Sequence, residues 1–104
     1  MHVRSSDGVD LALHDLGGDP SSPTLLVSHA TGFHGRCYLP MAAHLADRHH
    51  LVALDYRGHG ESPAVRGPDG DPVVDWQRYG DDATAVATFL VERHGGPIVA
   101  FGHS

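Results

Sequence analysis

The chain has 104 residues, of which 40% are hydrophobic, 19% charged and 7% aromatic. That is the composition of about one small globular domain, and it excludes a wholly disordered chain. Seven basic residues, all Arg, face 13 acidic ones, for a net charge of −6 with no basic block. This argues against a nucleic-acid partner. A single cysteine, Cys37, excludes an internal disulfide and a Cys-based zinc site. The polar start and apolar runs of only about four residues predict no signal peptide and no membrane partner. The expected location is cytoplasmic.

Residues 2–5 and 9–14 flank the turn-type dipeptide Asp7-Gly8 and predict an antiparallel hairpin. Val9, Leu11 and Leu13 alternate with polar or small residues, the pattern of a strand with one buried face. A breaker-rich loop over 17–23 leads to the apolar run 24–28, predicted as a strand buried on both faces. After the turn 29–35, residues 39–48 predict a helix with Leu39, Ala42, Ala43 and Ala46 on one face and Pro40 in its first turn. Residues 51–54 predict the next buried strand, and a long polar Pro/Gly/Asp loop follows to about residue 74. Residues 75–94 predict the longest helix, with Asp75 as N-cap and an apolar stripe of Tyr79, Ala83, Val86, Ala87 and Leu90. Gly80 is unfavourable inside a helix by about 1 kcal/mol, which allows a start one turn later. Gly95-Gly96 stops the helix, and residues 97–101 predict a last buried strand before Gly102-His103-Ser104.

The order β-β-β-α-β-α-β predicts an α/β fold: a mostly parallel sheet with an N-terminal antiparallel hairpin and helices on both faces. The last strand has no helix after it to cover its face. The expectation is that residues 1–104 are the N-terminal, incomplete part of a single domain. An exposed last strand would otherwise invite self-association.

In open α/β sheets ligands bind beyond the carboxyl ends of the strands. Three such ends carry unusual residues here: His29-Ala30-Thr31-Gly32-Phe33, the pattern D-x-R-G-x-G-x-S from Asp55 to Ser62, and Gly102-His103-Ser104. Together they resemble the α/β-hydrolase family, over essentially the whole chain but only for the first five strands of that fold. The resemblance implies a serine hydrolase acting on an ester-like or other carbonyl small-molecule substrate, without a cofactor. It places Ser104 at the tip of a nucleophile elbow, G-x-S-x-G, of which the first three positions are present. It gives Thr31, with Gly32 the next candidate, the oxyanion-hole N–H, although Ala30 stands where the family has Gly.

By the same resemblance His103 and Phe33 are substrate-pocket candidates, Phe33 being equally readable as packing. His29 is a buried, satisfied imidazole that orients the loop. Asp55, Arg57, Gly58 and Gly60 are structural: the glycines permit tight turns, and Asp55 and Arg57 can pair. Ser104 disfavours relatives with Asp at the elbow, such as epoxide hydrolases. In the family the catalytic acid and then the His follow the nucleophile in chain order. No upstream residue fills either role, so the chain alone is expected to be inactive.

The ten histidines show no zincin spacing, and no metal is expected. Cys37 reads as incidental, and Trp76 and Tyr79 as packing residues of the second helix or its loop, with a substrate-facing role as the second reading. Two alternatives remain at this level. One is a short non-catalytic α/β protein that binds a ligand or self-associates. The other is a flavodoxin-like binding domain, which the lack of a phosphate loop disfavours. The intact mass of the native polypeptide, captured with an antibody to residues 1–104, checks the expectation of incompleteness. A heavier species is the expected outcome, and a soluble species at 11.1 kDa would contradict it.

Overall fold

The computed structural model describes residues 1–73 and 75–103. Its elements run β1 (His2–Arg4), β2 (Asp10–Gly17), β3 (Thr24–Ser28), a 3₁₀ turn (Gly35–Tyr38), α1 (Leu39–Leu45), β4 (His50–Leu54), α2 (Trp76–His94) and β5 (Val99–Gly102). The strands form one mixed sheet in the order β1-β2-β4-β3-β5. β1 pairs antiparallel with β2, and β2 antiparallel with β4, while β4, β3 and β5 are parallel.

Period-2 alternation sorts β3 and β4 onto two cores. Leu26, Val52 and Leu54 face α2 and pack with Val86 and Leu90. Leu25, Val27, Leu51 and Ala53 face the other side and pack with Tyr38 and Ala42. Helices therefore lie on both faces. Full burial of each such aliphatic side chain contributes about 1.5–3 kcal/mol.

Four local expectations are corrected. β2 is buried on both faces, because Ala12 and His14 are covered as well as Leu11 and Leu13. It lies inside the sheet, between β1 and β4, where alternation no longer marks a solvent side. The first helix is shorter than 39–48 and is entered through the 3₁₀ turn, which rotates the buried face to Tyr38, Met41, Ala42 and Leu45. Leu39 and Ala43 are exposed instead.

On α2, Asp75 caps as expected, accepting from the Gln77 N–H, and Gly95 ends the helix at φ 71°. Gly80 does not delay its start. Its buried line, however, is Asp82, Val86 and Leu90. A stripe read from apolar residues alone skips Asp82. Finally, β5 is an exposed edge strand and not a buried one. Among the described residues only β3 flanks it, and Val99 is 48% exposed.

Asp82 is buried because Arg57 meets it. Arg57 Nη2 and Nε lie 2.6 and 3.0 Å from its two carboxylate oxygens. The other edge of the guanidinium clamps Asp7 in the hairpin turn at 2.7 and 3.0 Å. Ser5 Oγ donates to Asp82 Oδ1 at 2.7 Å. One side chain thus joins the β1–β2 turn, the loop after β4 and α2. Both carboxylates hold the guanidinium above its usual pKa.

Removing one partner of such a buried pair strands a charge. Asp82→Asn is expected to lower the unfolding free energy by about 3 kcal/mol in urea denaturation, and a loss well under 1 kcal/mol would contradict the clamp. Hydrogen bonding to Arg57 holds the Asp7 carboxyl at about 2, against an ordinary 3.8. A depressed carboxylate contributes stability above its unfolded pKa and loses it as pH falls through the folded one. Stability should therefore fall between about pH 4 and pH 2 in part through Asp7, and Asp7→Asn should flatten that part of an acid titration.

Candidate active site

A cleft of about 250 Å³ opens at the carboxyl ends of the three parallel strands. Ser28 and His29 reach it from β3, Tyr56 and His59 from the loop after β4, and Gly102 and His103 from β5. Thr31 lines it from the 29–35 turn, and Trp76 and Tyr79 close it from the first turn of α2. Parallel strands start together and end together, so the residues after each one converge.

His29 is 7% exposed and spends both ring nitrogens on backbone: Nδ1 lies 2.8 Å from the Ala30 carbonyl and Nε2 accepts the Tyr56 N–H at 3.0 Å. Nε2 is therefore bare and Nδ1–H is the donor. Burial pushes this imidazole below its usual pKa, which keeps it neutral at pH 7. It orients the loop and has no nitrogen left for a substrate.

The next residues form a tight turn in which the Phe33 N–H donates to the Ala30 carbonyl at 2.9 Å. Gly32 takes the left-handed position at φ 85°, the third place of a type II turn. Among the described residues the Thr31 and Gly32 N–H groups donate to no acceptor. Phe33 is 45% exposed, and its ring sits edge-on to His103 at 5.5 Å. The His103 N–H donates to the Ser28 carbonyl at 3.1 Å. Ser104, the expected nucleophile, lies outside the described residues.

Asp55, Arg57, Gly58 and Gly60 do not line the cleft; they build the loop that shapes it. The expected Asp55–Arg57 pair does not form. Arg57 is taken by Asp82 and Asp7. Asp55, 1% exposed, accepts from the Gly35 N–H at 2.6 Å, the Glu61 N–H at 2.9 Å and His14 Nε2 at 2.7 Å. Burial pushes its carboxyl up, but the Glu61, Gly35 and His14 hydrogen bonds more than reverse this, so it lies below the usual carboxylate value. Ser62 closes the same loop, accepting from the Ala12 N–H at 2.8 Å and donating to the Asp55 carbonyl at 2.6 Å.

Sequence reasoning passed over Tyr38, His14 and Asp82, which no local pattern marks. It put packing first for Trp76 and Tyr79 and a substrate-facing role second; they stand on the cleft wall. There Tyr79 makes edge contacts with Trp76, Tyr56 and His59 at 5.3–6.2 Å. Among the described residues no group of three or more His, Cys, Asp or Glu is placed to hold a metal, and no helix is long and apolar enough to cross a membrane.

A mixed sheet with a cleft at its parallel strand ends defines an α/β protein of the hydrolase-fold type. The chain belongs to the family described as serine aminopeptidase, S33, whose model matches residues 19–104. A hydrolase from Pseudomonas aeruginosa PA01 is similar to it at 25% identity and TM-score 0.81, over 100% of this chain and 36% of its own. A membrane phospholipase A, described as a bacterial virulence factor, is 30% identical at TM-score 0.71 over 100% of this chain and 31% of its own. A thermophilic esterase from Thermogutta terrifontis shares the fold at 23% identity and TM-score 0.74, over 100% of this chain and 36% of its own. The chain thus spans about a third of the length of the structures it matches. No curated protein matches it.

Gly60 sits at φ 51°, and a Cβ there would run into the Asp55 carboxylate. Gly60→Ala is expected to destabilise the protein by about 2 kcal/mol or more, combining backbone strain with the clash. A thermal melt within a degree or so of wild type would show that the loop is not held this way.

Proposed function

We propose that this chain carries the nucleophile and half of the oxyanion hole of a serine hydrolase acting on an ester-like or other small carbonyl substrate. The observation that supports it is the shared cleft. Thr31, with its N–H unspent, and His103, the residue before Ser104, line one cavity at adjacent strand ends. On this reading Ser104 Oγ attacks the carbonyl carbon. The oxygen takes up the electron pair as an oxyanion, and the Thr31 N–H, with Gly32 beside it, donates to it.

A base must take the Ser104 proton. His29 cannot, because its Nε2 is occupied and its Nδ1 already carries a hydrogen. His14 is held by Asp55 away from the cleft. In the family the acid and then the His follow the nucleophile in chain order, so neither role is given to a residue of this chain, and the 104 residues alone are expected to be inactive. The reaction needs no cofactor, and a cytoplasmic setting suits the absence of any disulfide pair. A second reading, a short non-catalytic protein that self-associates, draws on the exposed edge strand β5. It predicts a stable oligomer of the 11.1-kDa chain in sedimentation.

The polypeptide recovered from its source cells should be labelled by a fluorophosphonate, with the adduct mapped to Ser104. Ser104→Ala should lower hydrolysis of an activated ester by more than about a thousandfold with little change in melting temperature. Labelling at another serine, or most activity surviving Ser104→Ala, would remove the nucleophile assignment.

A further inference from the structure

We propose that Tyr38 is a positioning residue that holds the His103 imidazole as its Nε2–H tautomer and ties it to the 30–33 turn, a role that rests on the hydrolase reading above. Tyr38 closes the 3₁₀ turn and is 8% exposed. A tyrosine hydroxyl has one hydrogen and two lone pairs. The Ala30 N–H donates to it at 3.0 Å, which uses one lone pair. His103 Nδ1 lies 2.8 Å from the same oxygen.

Two arrangements satisfy that distance. If Nδ1 carried a hydrogen, the oxygen would accept twice, and the hydroxyl hydrogen would have no acceptor among the described residues. Buried hydroxyls avoid that state. In the other arrangement the Tyr38 O–H donates to a bare Nδ1, and the neutral ring carries its hydrogen on Nε2. The ring is held further by the His103 N–H on the Ser28 carbonyl and by edge contacts with Phe33 and Tyr38 at 5.5 and 5.8 Å.

The consequence is chemical. His103 lines the cleft with Nδ1 spent, so Nε2–H is the one polar hydrogen its ring presents there. Position 103 is a hydrogen-bond donor and not a general base. A bound substrate meets it with an acceptor oxygen, carbonyl or ether, next to the group attacked by Ser104. Through Ala30 the same hydroxyl sets the turn that aims the Thr31 N–H. Tyr38 thereby fixes the spacing between the two sides of the proposed oxyanion site.

The test has two arms. Long-range ¹H–¹⁵N correlation on the histidine-labelled full-length polypeptide, at mildly alkaline pH, should show His103 as a single Nε2-protonated tautomer. In Tyr38→Phe, which deletes only the hydroxyl, that pattern should shift toward the mixture of a free imidazole. A wild-type hydrogen on Nδ1, or no shift in Tyr38→Phe, would overturn the proposal. The wild-type spectrum decides even if the variant folds poorly.

In the polypeptide recovered from source cells, Tyr38→Phe should lower kcat on an activated ester by about tenfold or more with KM held within about twofold, as for a misaimed oxyanion donor. An unchanged kcat would overturn the positioning role. Absence of fluorophosphonate labelling at Ser104 would sink the hydrolase reading and with it the kinetic role, whereas the tautomer is read without any activity. The two failures are therefore distinguishable.

Discussion

The carboxylate of Asp55 ties the loops around the end of β4 to one another. It leaves the end of the central strand β4 and accepts hydrogen bonds from the Gly35 N–H, the Glu61 N–H and the His14 ring. A buried carboxylate is tolerable only when its oxygens are satisfied, and here the partners come from three separate segments. The 29–35 turn, the loop after β4 and strand β2 are thereby locked to one point. The backbone of the same residue joins in, through the Asp55 N–H on the Ala12 carbonyl and the Ser62 hydroxyl on the Asp55 carbonyl. Gly60 is the residue that lets the chain pass close enough for this to happen.

Arg57, two residues on, does the complementary work on the other side. Its planar guanidinium suits two carboxylates at once, and it takes Asp82 from α2 and Asp7 from the hairpin turn. The D-x-R-G-x-G-x-S segment is therefore a junction, with one charge anchoring the cleft side and the other anchoring the helix and hairpin. This explains how a segment so rich in charged and glycine residues can sit against the core. It also explains why neither Asp55 nor Arg57 is available for catalysis.

The cleft inherits its character from this scaffold. Its polar backbone groups are either used up, as at the Ala30 carbonyl and the Tyr56 N–H, or without an acceptor among the described residues, as at the Thr31 N–H. Its walls are aromatic where α2 begins, because the N-cap at Asp75 starts the helix early enough to bring Trp76 and Tyr79 over the strand ends. Structures that share this fold include a phospholipase, an esterase and epoxide hydrolases. The architecture therefore sets where chemistry occurs and leaves the choice of chemistry to the side chains around it.

Much was legible in the residue order. Buried strands at 24–28 and 51–54, the long helix and its Asp75 cap, and the three sets of unusual residues at strand ends follow from apolar periodicity and breaker residues. These are local properties, written in residues a few positions apart. What the fold alone decided are the pairings: Arg57 with Asp82 across 25 positions, His14 with Asp55 across 41, and Tyr38 with His103 across 65. No local pattern announces a partner that distant. The same holds for burial. Asp82 is in the core because a guanidinium awaits it, and β5 is exposed because, among the described residues, β3 alone pairs with it. Sequence periodicity states which residues can be buried, and only the packing of neighbouring segments states which ones are.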